Sequence, residues 1–227
     1  MDSGNDRRQL AAYTLPMAAF LAALGAVSLL KNIGGGFWLE RPEYWVYPIQ
    51  TLVCAALLLS FRREYGFESP RKILFTIAIA VVVFVLWIAP QVFLGFAPRL
   101  VGYDPDVFRS SPSLYWLMLL LRFARLVVIA PIVEELFWRG FLLRYFINER
   151  FTTVAFGTFS WFSFVAVTVG FTLVHLRADW PAAFITGALY NLVALRTKSL
   201  TSCLLAHAMT NLLLGLWIMQ SRQWGFW

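Results

Sequence analysis

Two histidines occur in the 227-residue chain, and both lie in apolar runs. His175 closes Gly-Phe-Thr-Leu-Val-His, with Phe171 one helical turn before it. His207 lies in Leu-Leu-Ala-His-Ala-Met-Thr-Asn, so Asn211 shares its helical face at i+4. Of the twelve Asp and Glu residues, only Glu134 and Glu135 fall inside an apolar stretch. Charges at bilayer depth are costly, so such residues mark function until shown otherwise. Arg139 follows Glu135 by one turn on the same face. Glu134 points about 100° away from that face. One carboxylate can therefore be neutralised by the arginine while the other is left free to handle a proton. Two imidazoles, a free carboxylate and a carboxamide suit acid–base hydrolysis, a proton or ion relay, or a metal site.

Each residue also has a plain structural reading. Glu135 and Arg139 suit an interhelical tether, and a lone histidine in a span suits a hydrogen-bonded packing role. Phe171 reads as packing at the edge of the site. Arg122 and Arg125 read as arginines snorkelling to the interface, with binding of a substrate carboxylate as the alternative.

These residues need helices to hold them, and the composition supplies membrane helices. The chain is 60% hydrophobic and 14% charged, with a mean hydropathy of +0.69. That leaves too little polar surface for a soluble domain. The net charge of +7 sits mostly in short loops, which suits lipid headgroups rather than nucleic acid. Cys54 and Cys203 lie in apolar runs and fit neither a disulfide framework nor a metal pair.

Seven runs approach the roughly 20 residues that a bilayer requires. They are 10–30, 44–61, 73–95, 124–146, 157–176, 180–195 and 200–220. The apolar stretch 113–121 reads as a re-entrant helix or as the outer part of a long fourth span. The fold class expected is all-α, a polytopic transmembrane bundle of seven to eight spans with short loops. Residues 1–112 would supply helices without a motif, and 113–227 the catalytic core of one continuous membrane domain. Pro131 should kink the fourth span, and Asp179 should cap the helix that starts at Trp180-Pro181. The loop arginines favour a cytoplasmic N-terminus. At about 1.5 Å per residue, Glu134, His207 and Asn211 lie roughly 10–17 Å into their spans. His175 lies near the end of its own.

Glu134-Glu135-Leu136-Phe137-Trp138-Arg139, Phe171-Thr172-Leu173-Val174-His175 and His207-Ala208-Met209-Thr210-Asn211 read EExxxR, FxxxH and HxxxN, in that order. This resembles the CAAX-protease and bacteriocin-processing (CPBP) intramembrane proteases, over roughly residues 124–214, including bacterial members akin to CAAX prenyl protease 2. The closing part, from Tyr190-Asn191 to Trp224-Gly225-Phe226-Trp227, looks like members that accompany exosortase-type sorting systems. The resemblance implies an intramembrane endopeptidase of the bacterial inner membrane acting on a protein or peptide substrate. It implies that Glu134 and His175 activate water and that His207 and Asn211 stabilise the oxyanion, with Glu135, Arg139 and Phe171 in support. It implies no cofactor; the alternative is zinc held by Glu134, His175 and His207, although no HExxH is present. The rival classes are a transporter using the buried charges as a relay and a catalytically silent scaffold or immunity protein of the same fold. No inverted repeat supports the first, and the intact residue set speaks against the second.

Overall fold

The computed structural model describes residues 3–227, with side chains from Asp6 onward. Among the described residues the chain forms helices and turns and no strand. Backbone in hydrocarbon must satisfy its own N–H and C=O groups, and the helix does so within one segment. Seven longer helices result: α1 (Ser3–Ile33), α2 (Glu43–Ser60), α3 (Ile73–Phe93), α4 (Pro112–Tyr145), α5 (Trp161–Leu173), α6 (Trp180–Thr197) and α7 (Leu200–Ser221). Four of them, α1, α3, α4 and α7, are long and apolar enough to cross a membrane. The helix α5 is apolar but has only 13 residues.

The stretch 113–121 belongs to α4, which runs unbroken for 34 residues. It is thus the outer part of a long fourth span. Two π-helical segments interrupt its α-helical pattern, Ala124–Ile129 and Leu136–Leu142. The first ends just before Ala130-Pro131, where the proline ring and missing N–H disturb the i→i−4 ladder. Widened turns of this kind are rare and recur at functional sites. Here they flank Glu134 and Glu135 on both sides.

The chain divides into two compact units. The first comprises residues 1–65, 98–133 and 215–227, and the second 66–97 and 134–214. In the first unit α1 packs on α2. Pro16 lies inside α1 and cannot donate to the carbonyl of Ala12; the Tyr65 hydroxyl donates to that carbonyl instead, at 2.9 Å. Gln50 of α2 donates to the carbonyl of Phe20 at 2.7 Å and accepts from Arg125 Nε at 2.5 Å. An aromatic core of Tyr44, Tyr103 and Phe108 gathers with Met118, and Tyr47, Tyr115 and Trp227 pack against it. Burial pushes the Tyr103 phenol up to about 12, so it stays neutral. Residues 99–102 and 224–225 run closely together: Gly225 N–H donates to Arg99 O, and a Cβ at Gly102 would meet Trp224 O at 2.0 Å.

Arg122 and Arg125 do not snorkel. They are 2% and 7% exposed, each stacked on Tyr47, with Phe20 adding a face for Arg125. Aromatic faces from α1, α2 and the 98–111 segment cover guanidinium groups that charge counting alone would send to water.

Polar side chains stitch the second unit together. Thr210 of α7 donates to Ala80 O of α3 at 3.0 Å, and Trp87 Nε1 of α3 donates to Thr186 Oγ1 of α6 at 3.0 Å. Ser202 Oγ donates to Arg71 O, and Ser163 of α5 donates to Leu143 O of α4. A Cβ on Gly187 of α6 would meet Phe171 at 3.3 Å and the Thr168 backbone at 3.4 Å, so the missing side chain lets α5 and α6 close up. Asp179 occupies the N-cap of α6 but makes no capping bond with its side chain. It already lies in a right-handed helical conformation at the end of a 3-10 turn, Arg177–Asp179, rather than in the extended geometry that a side-chain cap favours.

Candidate active site

All seven motif residues lie in the second unit. The helix α4 carries Glu134, Glu135 and Arg139. The i, i+4 spacing forms the expected pair, with Arg139 Nη1 donating to Glu135 Oε1 at 3.0 Å and both side chains fully buried. The guanidinium is bonded on its other edges too. Nε donates to Asn191 Oδ1 at 3.0 Å and Nη2 to Gly187 O at 3.1 Å, while the Phe171 and Tyr190 rings lie 5.1 and 5.4 Å from its centre. Asn191 is fixed in turn, donating to Thr168 Oγ1 and Phe164 O. A buried arginine is tolerated when its donors are bonded and its charge is paired, and both conditions hold here.

Glu135 also reaches α7. Its Oε1 lies 2.9 Å from His207 Nδ1. A carboxylate oxygen accepts, so Nδ1 carries the hydrogen and Nε2 is the nitrogen left for chemistry. Tyr190 lies against the imidazole, ring centres 5.1 Å apart. Asn211 follows His207 by one turn on α7 and is half-buried.

His175 lies two residues beyond the end of α5, which explains its shallow position: the helix is short. Its ring is nevertheless held on several sides. Nδ1 lies 2.7 Å from Phe171 O, a group that only accepts, so again Nε2 is the available nitrogen. The Phe171 ring lies 4.6 Å away and the Trp87 ring 5.7 Å away, and Trp180 Nε1 donates to the carbonyl of His175 at 3.1 Å.

Glu134 differs from its neighbour. It is half-buried, and among the described residues its carboxylate makes no hydrogen bond or ion pair. Glu135, Arg139 and His207 are thus directly bonded, Phe171 and His175 form a second bonded pair, and Arg139 stacked on Phe171 joins the two. Glu134 makes no such contact. No group of three or more His, Cys, Asp or Glu is gathered as a metal site among the described residues. Trp87, Asn191 and Tyr190 complete the cluster, and local sequence spacing does not reveal them because each partner comes from a distant part of the chain.

The fold and site define a helical membrane protein with a buried Glu–Arg–His cluster and an adjacent free carboxylate. Residues 112–213 match the family model described as type II CAAX prenyl endopeptidase Rce1-like, in keeping with the CPBP resemblance. At the family level this supports an intramembrane endopeptidase, a protease acting on protein or peptide. Comparison with curated proteins and with solved structures finds no match. The family match leaves out α1, α2 and α3.

Proposed function

We propose that the protein is a glutamate-dependent intramembrane endopeptidase of a bacterial inner membrane, acting on a membrane-associated or C-terminally processed protein. The observation that carries this reading is the division of labour between adjacent carboxylates: Glu135 is fully buried and bonded to Arg139 and His207, whereas Glu134 is half-buried and unpartnered. In this reading residues 113–227 supply the chemistry and 1–112 the supporting helices.

Glu134 takes a proton from a water that also donates to His175 Nε2, and the water oxygen attacks the peptide carbonyl carbon. Negative charge moves to the carbonyl oxygen, which His207 Nε2–H and the Asn211 amide stabilise. The Glu135 carboxylate on Nδ1 complements an imidazolium at His207, the form whose Nε2 is a donor. The C–N bond then breaks, and Glu134 returns the proton to the leaving amine. Arg139 and Asn191 hold Glu135, and Phe171 holds His175. No step uses a metal.

The test uses protein purified in detergent and peptides from candidate membrane-anchored substrates, comparing wild type with Glu134→Ala and His175→Ala. Cleavage by wild type and its loss in both variants is the expected result; variants that cleave as well as wild type would overturn the assignment. Activity removed by a strong chelator and restored by zinc would overturn the metal-free step.

A further inference from the structure

The second unit has two ends, and its cations are divided unequally between them. The loops 66–72, 146–160 and 197–199 meet at one end. Arg71 N–H donates to Ser202 Oγ at 2.8 Å, Ser199 Oγ to Ser69 O at 3.4 Å and Lys198 Nζ to Gly157 O at 2.9 Å. The other end is marked by Trp87 beside the His175 ring and by Trp180, which donates to the His175 carbonyl. Trp87 stands 14 residues beyond Ile73, the first residue of α3. At about 1.5 Å per residue it lies roughly 21 Å from the loop end.

This unit holds eight Lys and Arg residues. Arg71, Lys72, Arg144, Arg150, Arg196 and Lys198 belong to the loop end, and Arg139 is buried inside. Of the eight, only Arg177 belongs to the His175 end, 6.0 Å from the Trp180 ring. The helices α3 and α7 both start at the basic end and are long and apolar enough to cross a membrane. The two ends therefore lie at opposite membrane surfaces. Lys and Arg of short loops collect on the cytoplasmic side, while Asp and Glu weigh little. Six cations against one place the loop end in the cytoplasm and the His175 end outside.

Exposure follows the same direction. On the cytoplasmic side of the Glu135–His207 bond the packing is closed: Arg139, Asn191, Ala194, Ser202, Cys203 and Ala206 are all 0% exposed. Glu134, Asn211 and His175 are half-buried instead. Val174 and Leu176, on either side of His175, are 42% and 70% exposed.

We propose that the site is served from the extracytoplasmic side and that its substrate is the juxtamembrane segment of an exported polypeptide held by its own apolar anchor. The inference rests on the protease reading above and names its substrate class. The exposed apolar rim at Val174 and Leu176 suits the start of such an anchor. In a hydrocarbon core about 30 Å thick, the level of His175 lies roughly 9 Å below the outer surface. An extended chain covers that depth in about three residues, so the bond cut lies just inside the anchor's outer boundary.

Two measurements in intact cells producing the full chain separate orientation from chemistry. Ala178→Cys and Glu149→Cys add a thiol at exposed positions of the two ends without changing Lys or Arg. Cys54 and Cys203 are buried, so wild type is the blank. A membrane-impermeant maleimide is expected to label Ala178→Cys and to leave Glu149→Cys unlabelled until the membrane is permeabilised. A panel of single-span proteins, each carrying one cleavage sequence just outside or just inside its anchor, is then given to wild type and to Glu134→Gln. Cleavage confined to the outer placement, and lost in Glu134→Gln, is the expected result. The reverse labelling pattern, or cleavage of the inner placement as good as of the outer, would overturn the inference and leave the protease reading standing. Cleavage of neither placement, with Ala178→Cys labelled from outside, would instead remove the protease reading, and the substrate class with it.

Discussion

Arg139 and Arg122 are both buried guanidinium groups on α4, at 0% and 2% exposure, and they are treated in opposite ways. In the second unit Arg139 donates to Glu135, Asn191 and Gly187 O, so every edge is bonded. In the first unit Arg122 has aromatic faces and no acceptor at all. A fully bonded arginine acts as a strut: it fixes Glu135, and through Glu135 the ring of His207. Arg122 is instead held by ring faces alone, with Tyr47, Tyr103 and Trp227 around its guanidinium. The same residue type is therefore buried in two ways, by hydrogen bonds and an ion pair in one unit and by aromatic faces in the other.

The comparison can be broken most forcefully at the strut. Arg139→Met leaves Glu135 buried without its cation and should cost about 3–5 kcal/mol, seen as poor accumulation and a large fall in melting temperature. A melting temperature close to wild type would mean that Arg139 is no strut. Asn191→Leu removes the acceptor of Arg139 Nε and should cost about 1–3 kcal/mol in thermal or denaturant unfolding. Restoration of most of that stability by Asn191→Asp, which keeps an acceptor at the same place, would tie the effect to this bond. Trp87→Phe keeps a ring beside His175 but loses the bond to Thr186. It should leave peptide affinity unchanged and lower kcat modestly, about tenfold or less. A change in KM alone would instead make Trp87 a substrate contact.

Those residues also show where sequence reading succeeds and stops. Glu135 with Arg139 and His207 with Asn211 were legible because an i, i+4 spacing places side chains on one helical face whatever the fold. Glu134 was legible as the odd carboxylate for the same reason. The bond between Glu135 and His207 spans 72 positions and leaves no local trace. Nor does the Trp87 ring beside His175, since α3 carries no motif of its own. Arg122 and Arg125 were misread as snorkelling because the sequence shows a charge near a helix start but not the aromatic faces brought over it. The seven apolar runs were recovered to within a few residues, except that α1 begins seven residues before the first run, through the charged stretch, and that α4 takes in the stretch 113–121 and has widened turns that apolarity cannot signal.

The central claim is that two adjacent carboxylates do different work, and Glu134→Gln measured beside Glu135→Gln tests it most directly. The account predicts that Glu134→Gln keeps the wild-type melting temperature and loses cleavage by about 10²–10⁴-fold, whereas Glu135→Gln lowers the melting temperature by disrupting the bonds to Arg139 and His207. Cleavage that survives Glu134→Gln, or a loss of stability confined to that variant, would contradict it.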